Sequence, residues 1–394
     1  ALSELKRYEE ALTSFNQAIA LNPQFAEAWS NRGTALSELK RYEEALTSFN
    51  QAFSIKPSTP YILGDLLQLK LQTCNWDQLS ILIDILREQI SIDSNVCRPF
   101  TSLVIFDDPI VQLLVAKAWS SRYYENIQKN SNKPNRFKNH SIKIGYFSAD
   151  FYNHAVSTLI AGIFENHNKT LFEIYGFSYG FSKEDSMQKR IKESLDHFID
   201  VSTLSDYEIA QLARKHKIDI AIDLTGYTGS GRVGIFAHRA APIQINFLGY
   251  PGSLGTSFVD YLLADRNLIT DKDGGFYSEK ILHLPHCYQP NDSRRQISDL
   301  NYSKIDHSLP EDTFIYCCFN GSYKITPIIF ECWMDILKDN PHSILWLLDD
   351  NDLATANLRN EAMKRNIDPK RLIFAKKTSP EDHRARYKFV DIFL

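Results

Sequence analysis

At 394 residues the chain has room for about two to four domains, each large enough for its own core. Hydrophobic content of 43% and charged content of 23% are ordinary for a globular protein, and a net charge of −4 argues against a chain built mainly to grip nucleic acid. No apolar run is long enough to span a bilayer and no secretory signal is visible, so no membrane partner is expected and a reducing, cytoplasmic setting is the default.

Residues 1–18 recur without a change at 35–52, a displacement of 34 residues. That is the period of a tetratricopeptide helix–turn–helix unit. The full copy carries the pattern at Trp29, Gly33, Leu36, Tyr42, Ala45, Phe49, Ala52 and Pro57. Gly33 and Ala45 let two helices approach, while Trp29, Leu36, Tyr42 and Phe49 fill the seam. Such units bury their apolar faces only by stacking, and the stack leaves a concave surface suited to peptides. The chain opens in mid-repeat, so it reads as a piece of a longer protein.

From Tyr61 to about Tyr124 the spacing stays helical but the repeat period is lost, which predicts a helical adaptor. A polar stretch from Asn126 to Ser141, containing Pro134, reads as a surface linker. Beyond it, β-rich runs at 142–147, 172–177, 198–201, 218–224, 243–248, 259–263 and 281–284 alternate with amphipathic helices. A second set follows a polar break at 289–307, with runs at 314–319, 344–348, 372–374 and 390–394. Alternation of this kind predicts parallel sheets with helices on both faces. The expected fold is therefore α/β with an α-helical repeat region. Its domains are repeats at 1–57, adaptor and linker at 58–140, a Rossmann-like lobe at 141–306 and a second, incomplete one at 307–394. Two such lobes in tandem are expected to take a ligand between them, at the carboxyl ends of their strands.

Several strand ends carry candidate chemistry. The first strand runs into Ser148-Ala149-Asp150-Phe151-Tyr152-Asn153-His154, which sets His154 on a strand-to-helix loop where an imidazole can donate to a phosphate or position a nucleophile. The run 218–224 ends in Thr225-Gly226-Tyr227-Thr228-Gly229-Ser230-Gly231, whose glycines allow close backbone approach to a ligand. Phe247-Leu248-Gly249-Tyr250-Pro251-Gly252 repeats the arrangement on the next strand. In the second lobe, Asn320-Gly321-Ser322-Tyr323-Lys324-Ile325-Thr326-Pro327 puts Lys324 beside a helix start with Thr326 as N-cap and Pro327 as first helical residue. Free amides and the helix dipole favour an anion there, and a lysine suits a departing pyrophosphate. A similar start at Ser379-Pro380 places His383 and Arg386 on one helical face, from which both can reach a phosphate. Asp350-Asn351-Asp352 has the look of a two-carboxylate metal pattern but reads better as a solvated loop, and no metal is expected. The six cysteines are scattered without metal-ligand spacing.

Together these segments resemble the O-GlcNAc transferase and SPINDLY family of repeat-containing protein glycosyltransferases, most closely its bacterial type. The resemblance includes Thr73-Cys74-Asn75-Trp76, Asp150 to His154, Gly226-Tyr227-Thr228, Ala241-Pro242-Ile243-Gln244, Leu248 to Gly252, Tyr277 to Lys280 and Phe319 to Lys324. It implies a tetratricopeptide superhelix followed by two Rossmann-like lobes in the GT-B architecture. The implied activity is transfer of N-acetylglucosamine from UDP-GlcNAc to Ser or Thr hydroxyls of proteins, with inversion and without a metal. The implied partners are a nucleotide sugar and protein or peptide acceptors held by the repeats. By position, Lys324 would neutralise the diphosphate and His154 would sit near pyrophosphate and acceptor. Thr228, Leu248, Gly249 and Tyr323 would line the donor, with His383 and Arg386 on its nucleotide side.

The sequence also departs from the family. Ala155 replaces a usual proline, Gly321 a polar side chain, Asp219 a histidine near the acceptor and Pro380 a lysine. The family's His-Thr-Thr helix start and following aspartate fall beyond Leu394, so this chain by itself is expected to be inactive. Alternatives from the same residues are a protein O-fucosyltransferase using GDP-fucose and a repeat scaffold with inactive lobes. Tyr227 favours the GlcNAc branch.

Overall fold

The computed structural model describes residues 7–180 and 184–394. The first six residues of the exact repeat, 1–6, lie outside the described residues. By contact the chain separates into two units, Ala1–Cys97 with Gln296–Leu394, and Arg98–Arg295. The adaptor expected over 58–140 is therefore divided, its first half belonging with the second lobe and its second half with the first.

The repeat helices are α1 (Tyr8–Leu21), α2 (Ala26–Glu38) and α3 (Tyr42–Ile55). Ala28, Leu36, Ala45, Phe49 and Ala52 are buried between them. A Cβ on Gly33 would stand 2.9 Å from the Phe49 ring, so the small residue sets how closely α2 and α3 pack. Trp29 is half-buried and its indole donates to the Pro23 carbonyl at 2.9 Å.

Next come α4 (Ile62–Gln72) and α5 (Leu79–Ile92). Helix α4 buries Ile62, Leu63, Leu66, Leu67, Leu69 and Leu71, an all-round apolar surface that needs cover on several sides. Cys74 and Gln78, both at positive φ, turn the chain between the two helices. Cys74 and Trp76 join the core of the second lobe, with Trp76 edge-on to Phe330 at 5.3 Å.

The other unit begins with α6 (Pro99–Ile105) and α7 (Pro109–Lys129). The polar stretch expected to be linker from Asn126 is still helix as far as Lys129, because Ile127 packs on the core and Gln128 bonds Ser257 at 2.5 Å. Parallel strands β1 (Ile142–Ser148), β2 (Phe172–Ser178), β3 (His197–Asp200), β4 (Ile220–Asp223), β5 (Ile243–Asn246), β6 (Tyr261–Asp265) and β7 (Lys280–Leu284) form one sheet. Their order is β3-β2-β1-β4-β5-β6-β7. Helices α8 (Ala155–Asn166), α9 (Ser186–Ser194), α10 (Asp206–Lys215) and α11 (Gly234–Ala237) connect the earlier strands. Chain order reverses between β1 and β4, which opens a crevice at their carboxyl ends.

In the first unit the chain resumes as β8 (Phe314–Cys318), α12 (Pro327–Asp339), β9 (Ser343–Leu348), α13 (Asp352–Lys364), β10 (Leu372–Ala375), α14 (Pro380–Ala385) and β11 (Ile392–Phe393). The strands are parallel in the order β10-β9-β8-β11, the same half-Rossmann pattern with its reversal at β8. Each expected strand is present within a few residues of its predicted bounds. Among the described residues no helix is long and apolar enough to cross a membrane.

Candidate functional site

In the first sheet the carboxyl ends of β1, β4 and β5 carry the predicted loops. His154 is the N-cap of α8, and its Nδ1 accepts the Val156 amide at 3.3 Å. An Nδ1 that accepts leaves the ring proton on Nε2. His154 therefore offers an N–H donor on a ring that is 40% exposed. Asp150 stands 3.7 Å from Nδ1, and burial raises its carboxyl pKa while His154 opposes the shift. The loop is tied down where Ser157 donates to the Asp150 carbonyl and Asp185 accepts the Asn153 amide at 2.7 Å.

After β4, Gly226 adopts φ 56°, and a Cβ on Gly231 would stand 1.8 Å from the Gly226 carbonyl oxygen. A Cβ on Gly229 meets nothing within 4 Å among the described residues. Thr228 donates its hydroxyl to the Thr225 carbonyl at 2.9 Å, and the Tyr227 hydroxyl donates to the Leu254 carbonyl at 2.8 Å. Leu248 takes a positive φ of 70° after β5. A Cβ on the adjacent Gly249 would stand 2.0 Å from the Leu224 carbonyl oxygen. Thr228, Leu248 and Gly249 thus belong to two interlocked loops on neighbouring strand ends. Asp223, the last residue of β4, escaped the sequence reading. It is fully buried, and its Oδ1 accepts the Thr225 and Gly226 amides at 2.9 and 3.0 Å. An acid in the apolar run Ile220-Ala221-Ile222 was the available signal.

Asp219 lies at the opposite, amino end of β4. Its Oδ2 takes the Lys143 amide at 3.0 Å and the Asn139 side chain at 2.7 Å, away from the loops at the carboxyl ends.

In the second sheet β8 leads into one 3-10 turn, Ser322–Lys324, and then α12. Thr326 is the N-cap, accepting from the Ile329 amide, and Pro327 is the first helical residue, as expected. Lys324 is exposed; its Nζ meets the Asn320 side-chain oxygen at 3.4 Å and no carboxylate among the described residues. Tyr323 is half-buried beside Gly321, where a Cβ would stand 2.9 Å from its ring.

His383 and Arg386 both meet Phe319 at the end of β8, but they do not share an open helical face. Helix α14 ends at Ala385, and Arg386 turns inward to 2% exposure. Its guanidinium lies 5.5 Å from the Phe319 ring centre and donates to the Lys376 carbonyl at 3.1 Å, leaving Nε and Nη1 without partners among the described residues. The His383 ring stands edge-on to Phe319, and burial lowers its pKa, assisted by Arg386. The solvated-loop reading of Asp350-Asn351-Asp352 is also corrected for its first two members. Asp350 Oδ2 accepts from Ser322 and Gln72, and its Oδ1 pairs with Lys377 at 2.8 Å. Asn351 caps α13.

Residues 113–307 and 298–394 match the model of glycosyl transferase family 41. The chain belongs to glycosyl transferase family 41. Residues 1–40 and 26–59 match tetratricopeptide repeat models. Among similar proteins, the Arabidopsis thaliana protein SEC, named a probable UDP-N-acetylglucosamine–peptide N-acetylglucosaminyltransferase, is 32% identical over 82% of this chain and 35% of its own length. A Caenorhabditis elegans UDP-N-acetylglucosamine–peptide N-acetylglucosaminyltransferase is 22% identical over 64% of this chain and 32% of its own. The chain thus spans about a third of the length of these curated relatives. A mutant of the Thermobaculum terrenum O-GlcNAc transferase superposes with a TM-score of 0.76 at 23% identity, covering 99% of this chain and 76% of that one. This likeness shows the family 41 fold, helical repeats followed by parallel α/β lobes of the GT-B class.

Proposed function

We propose that the protein transfers N-acetylglucosamine from UDP-GlcNAc to Ser or Thr hydroxyls of proteins, with inversion and without a metal. The observation that carries the reading is Lys324, a cation beside the N-terminus of α12 with no carboxylate partner among the described residues, in a chain that belongs to family 41. A lysine and the positive end of a helix dipole together stabilise the charge that develops on a departing diphosphate. In this reading His154 donates through Nε2 to phosphate or sugar and positions the acceptor, since its Nδ1 is engaged with the backbone. Thr228, Leu248, Gly249 and Tyr323 line the donor. His383 and Arg386 serve the nucleotide side, Arg386 through the two nitrogens it leaves unpaired.

The repeats would hold the acceptor polypeptide. A reducing, cytoplasmic setting fits the free thiols of Cys74, Cys287, Cys317, Cys318 and Cys332. Co-expression of the full-length protein with an acceptor, read by mass spectrometry, tests the proposal. A hexosamine adduct supports it; a deoxyhexose adduct favours fucosyl transfer, and no adduct favours a scaffold.

A further inference from the structure

The connection from β8 to α12 has little of its own to hold it. Its single 3-10 turn is closed by the Lys324 amide on the Gly321 carbonyl at 3.0 Å and the Ile325 amide on the Ser322 carbonyl at 2.9 Å. Lys324 itself is loosely held. Ser322, two residues before it, is 3% exposed and fastened on every side. Its amide donates to Asp350 Oδ2 at 3.3 Å, and its carbonyl receives the Cys74 thiol at 3.6 Å. The Ser322 hydroxyl lies 2.6 Å from the Gln72 carbonyl and 2.8 Å from Asp350 Oδ2.

Gln72 and Cys74 bracket the end of α4, the adaptor helix. The last carbonyls of a helix lack intrahelical partners and take them from elsewhere. Here the Gln72 carbonyl accepts from Asn351 Nδ2 at 2.9 Å as well as facing Ser322, and the Thr73 carbonyl accepts from Asn357 Nδ2 at 2.8 Å. The Gln72 side chain closes the network, donating from Nε2 to Asp350 Oδ2 at 2.8 Å across 278 residues of sequence. Burial pushes the Asp350 carboxyl up, but Lys377 and Ser322 outweigh it and hold the acid below its usual range.

We propose that Asp350 and Gln72 are positioning residues for Lys324: the end of adaptor helix α4, through Asp350 and Ser322, fixes the turn from which the lysine reaches the leaving group. This rests on the assignment of Lys324 above. The cation's own side chain stays free to follow the diphosphate while its backbone is pinned two residues earlier. A displacement of the turn by a fraction of its width would then be felt in the chemical step.

The full-length protein decides the matter in five variants. Lys324→Ala reports on the underlying assignment. In Asp350→Ala and Gln72→Ala we expect turnover to fall roughly tenfold or more with the acceptor KM unchanged. The Ser322 and Ile325 amides should also exchange about tenfold faster. Asp350→Asn, which keeps an acceptor oxygen, should recover most of both losses. Lys377→Met, which removes the cation beside Asp350 Oδ1 but leaves the Oδ2 bonds to Ser322 and Gln72, should lose less turnover than Asp350→Ala. If Asp350→Ala fails to fold, Gln72→Ala carries the test. Parental turnover and exchange in Gln72→Ala, with Lys324→Ala inactive, would overturn the positioning role and leave Lys324 in place. Near-normal turnover in Lys324→Ala would overturn the assignment beneath it, and unchanged Ser322 exchange would overturn the pinning by itself.

Discussion

The Asp223 carboxylate accepts the Gly226 amide at 3.0 Å while Gly226 stands at φ 56°. A Cβ on that glycine would lie 2.4 Å from the Tyr250 Cβ, so the conformation and the close approach both require the missing side chain. The loop that carries Thr228 is thereby held from beneath by a buried acid. One oxygen of Asp223 is used twice and the other, Oδ2, has no hydrogen-bond partner among the described residues.

That environment sets a pH dependence. Burial pushes the Asp223 carboxyl up to about 6 from 3.8, against the two amide bonds that pull it down. Between those values the native state holds a proton that the unfolded chain releases, so Asp223 makes stability fall as pH rises through the window, and level off above it. The contribution is about 3 kcal/mol. Asp223→Asn keeps an acceptor for both amides and does not titrate. Its stability relative to the parent should rise by about that amount between pH 4 and pH 7, as read from urea melts. A pH-independent difference would mean that the acid stays ionised in the fold.

Gly249 tests the interlock of the two loops. A Cβ there meets the Leu224 carbonyl, which is backbone and cannot swing away. Gly249→Ala should lose about 1–3 kcal/mol of stability and weaken donor binding. Gly229→Ala, with open space around it, should stay within about 0.5 kcal/mol.

Lys324→Ala should lower the catalytic constant of the full-length protein roughly a hundredfold or more while its thermal melt is unchanged. Steady-state kinetics at saturating donor and acceptor measure this. Normal turnover would remove the lysine from the mechanism.

A chelator should leave activity intact. The half-buried Asp350 is already committed to Ser322, Gln72 and Lys377. Loss of activity that magnesium or manganese restores would assign that carboxylate a metal instead.

The strands were legible because β-branched and aromatic runs alternate with helical ones, a local signal that burial on both sheet faces enforces. Caps were equally plain, as at Thr326 and Ser379. What escaped depends on partners distant in sequence. Asn126 to Lys129 look like linker until Ile127 finds the core and Gln128 finds Ser257. Asp350 looks solvated until Gln72 is brought beside it, and Arg386 looks surface-facing until its helix ends one residue earlier. Asp219 precedes β4, and in a parallel strand that already sets it at the amino end, opposite the loops.

The proposed transfer of GlcNAc depends on Lys324. The purified full-length protein, incubated with an acceptor and with UDP-GlcNAc or GDP-fucose in parallel, tests it by intact mass. The account predicts a hexosamine on Ser or Thr from UDP-GlcNAc alone, lost in Lys324→Ala. A deoxyhexose adduct from GDP-fucose, or a hexosamine adduct that persists in Lys324→Ala, would contradict it.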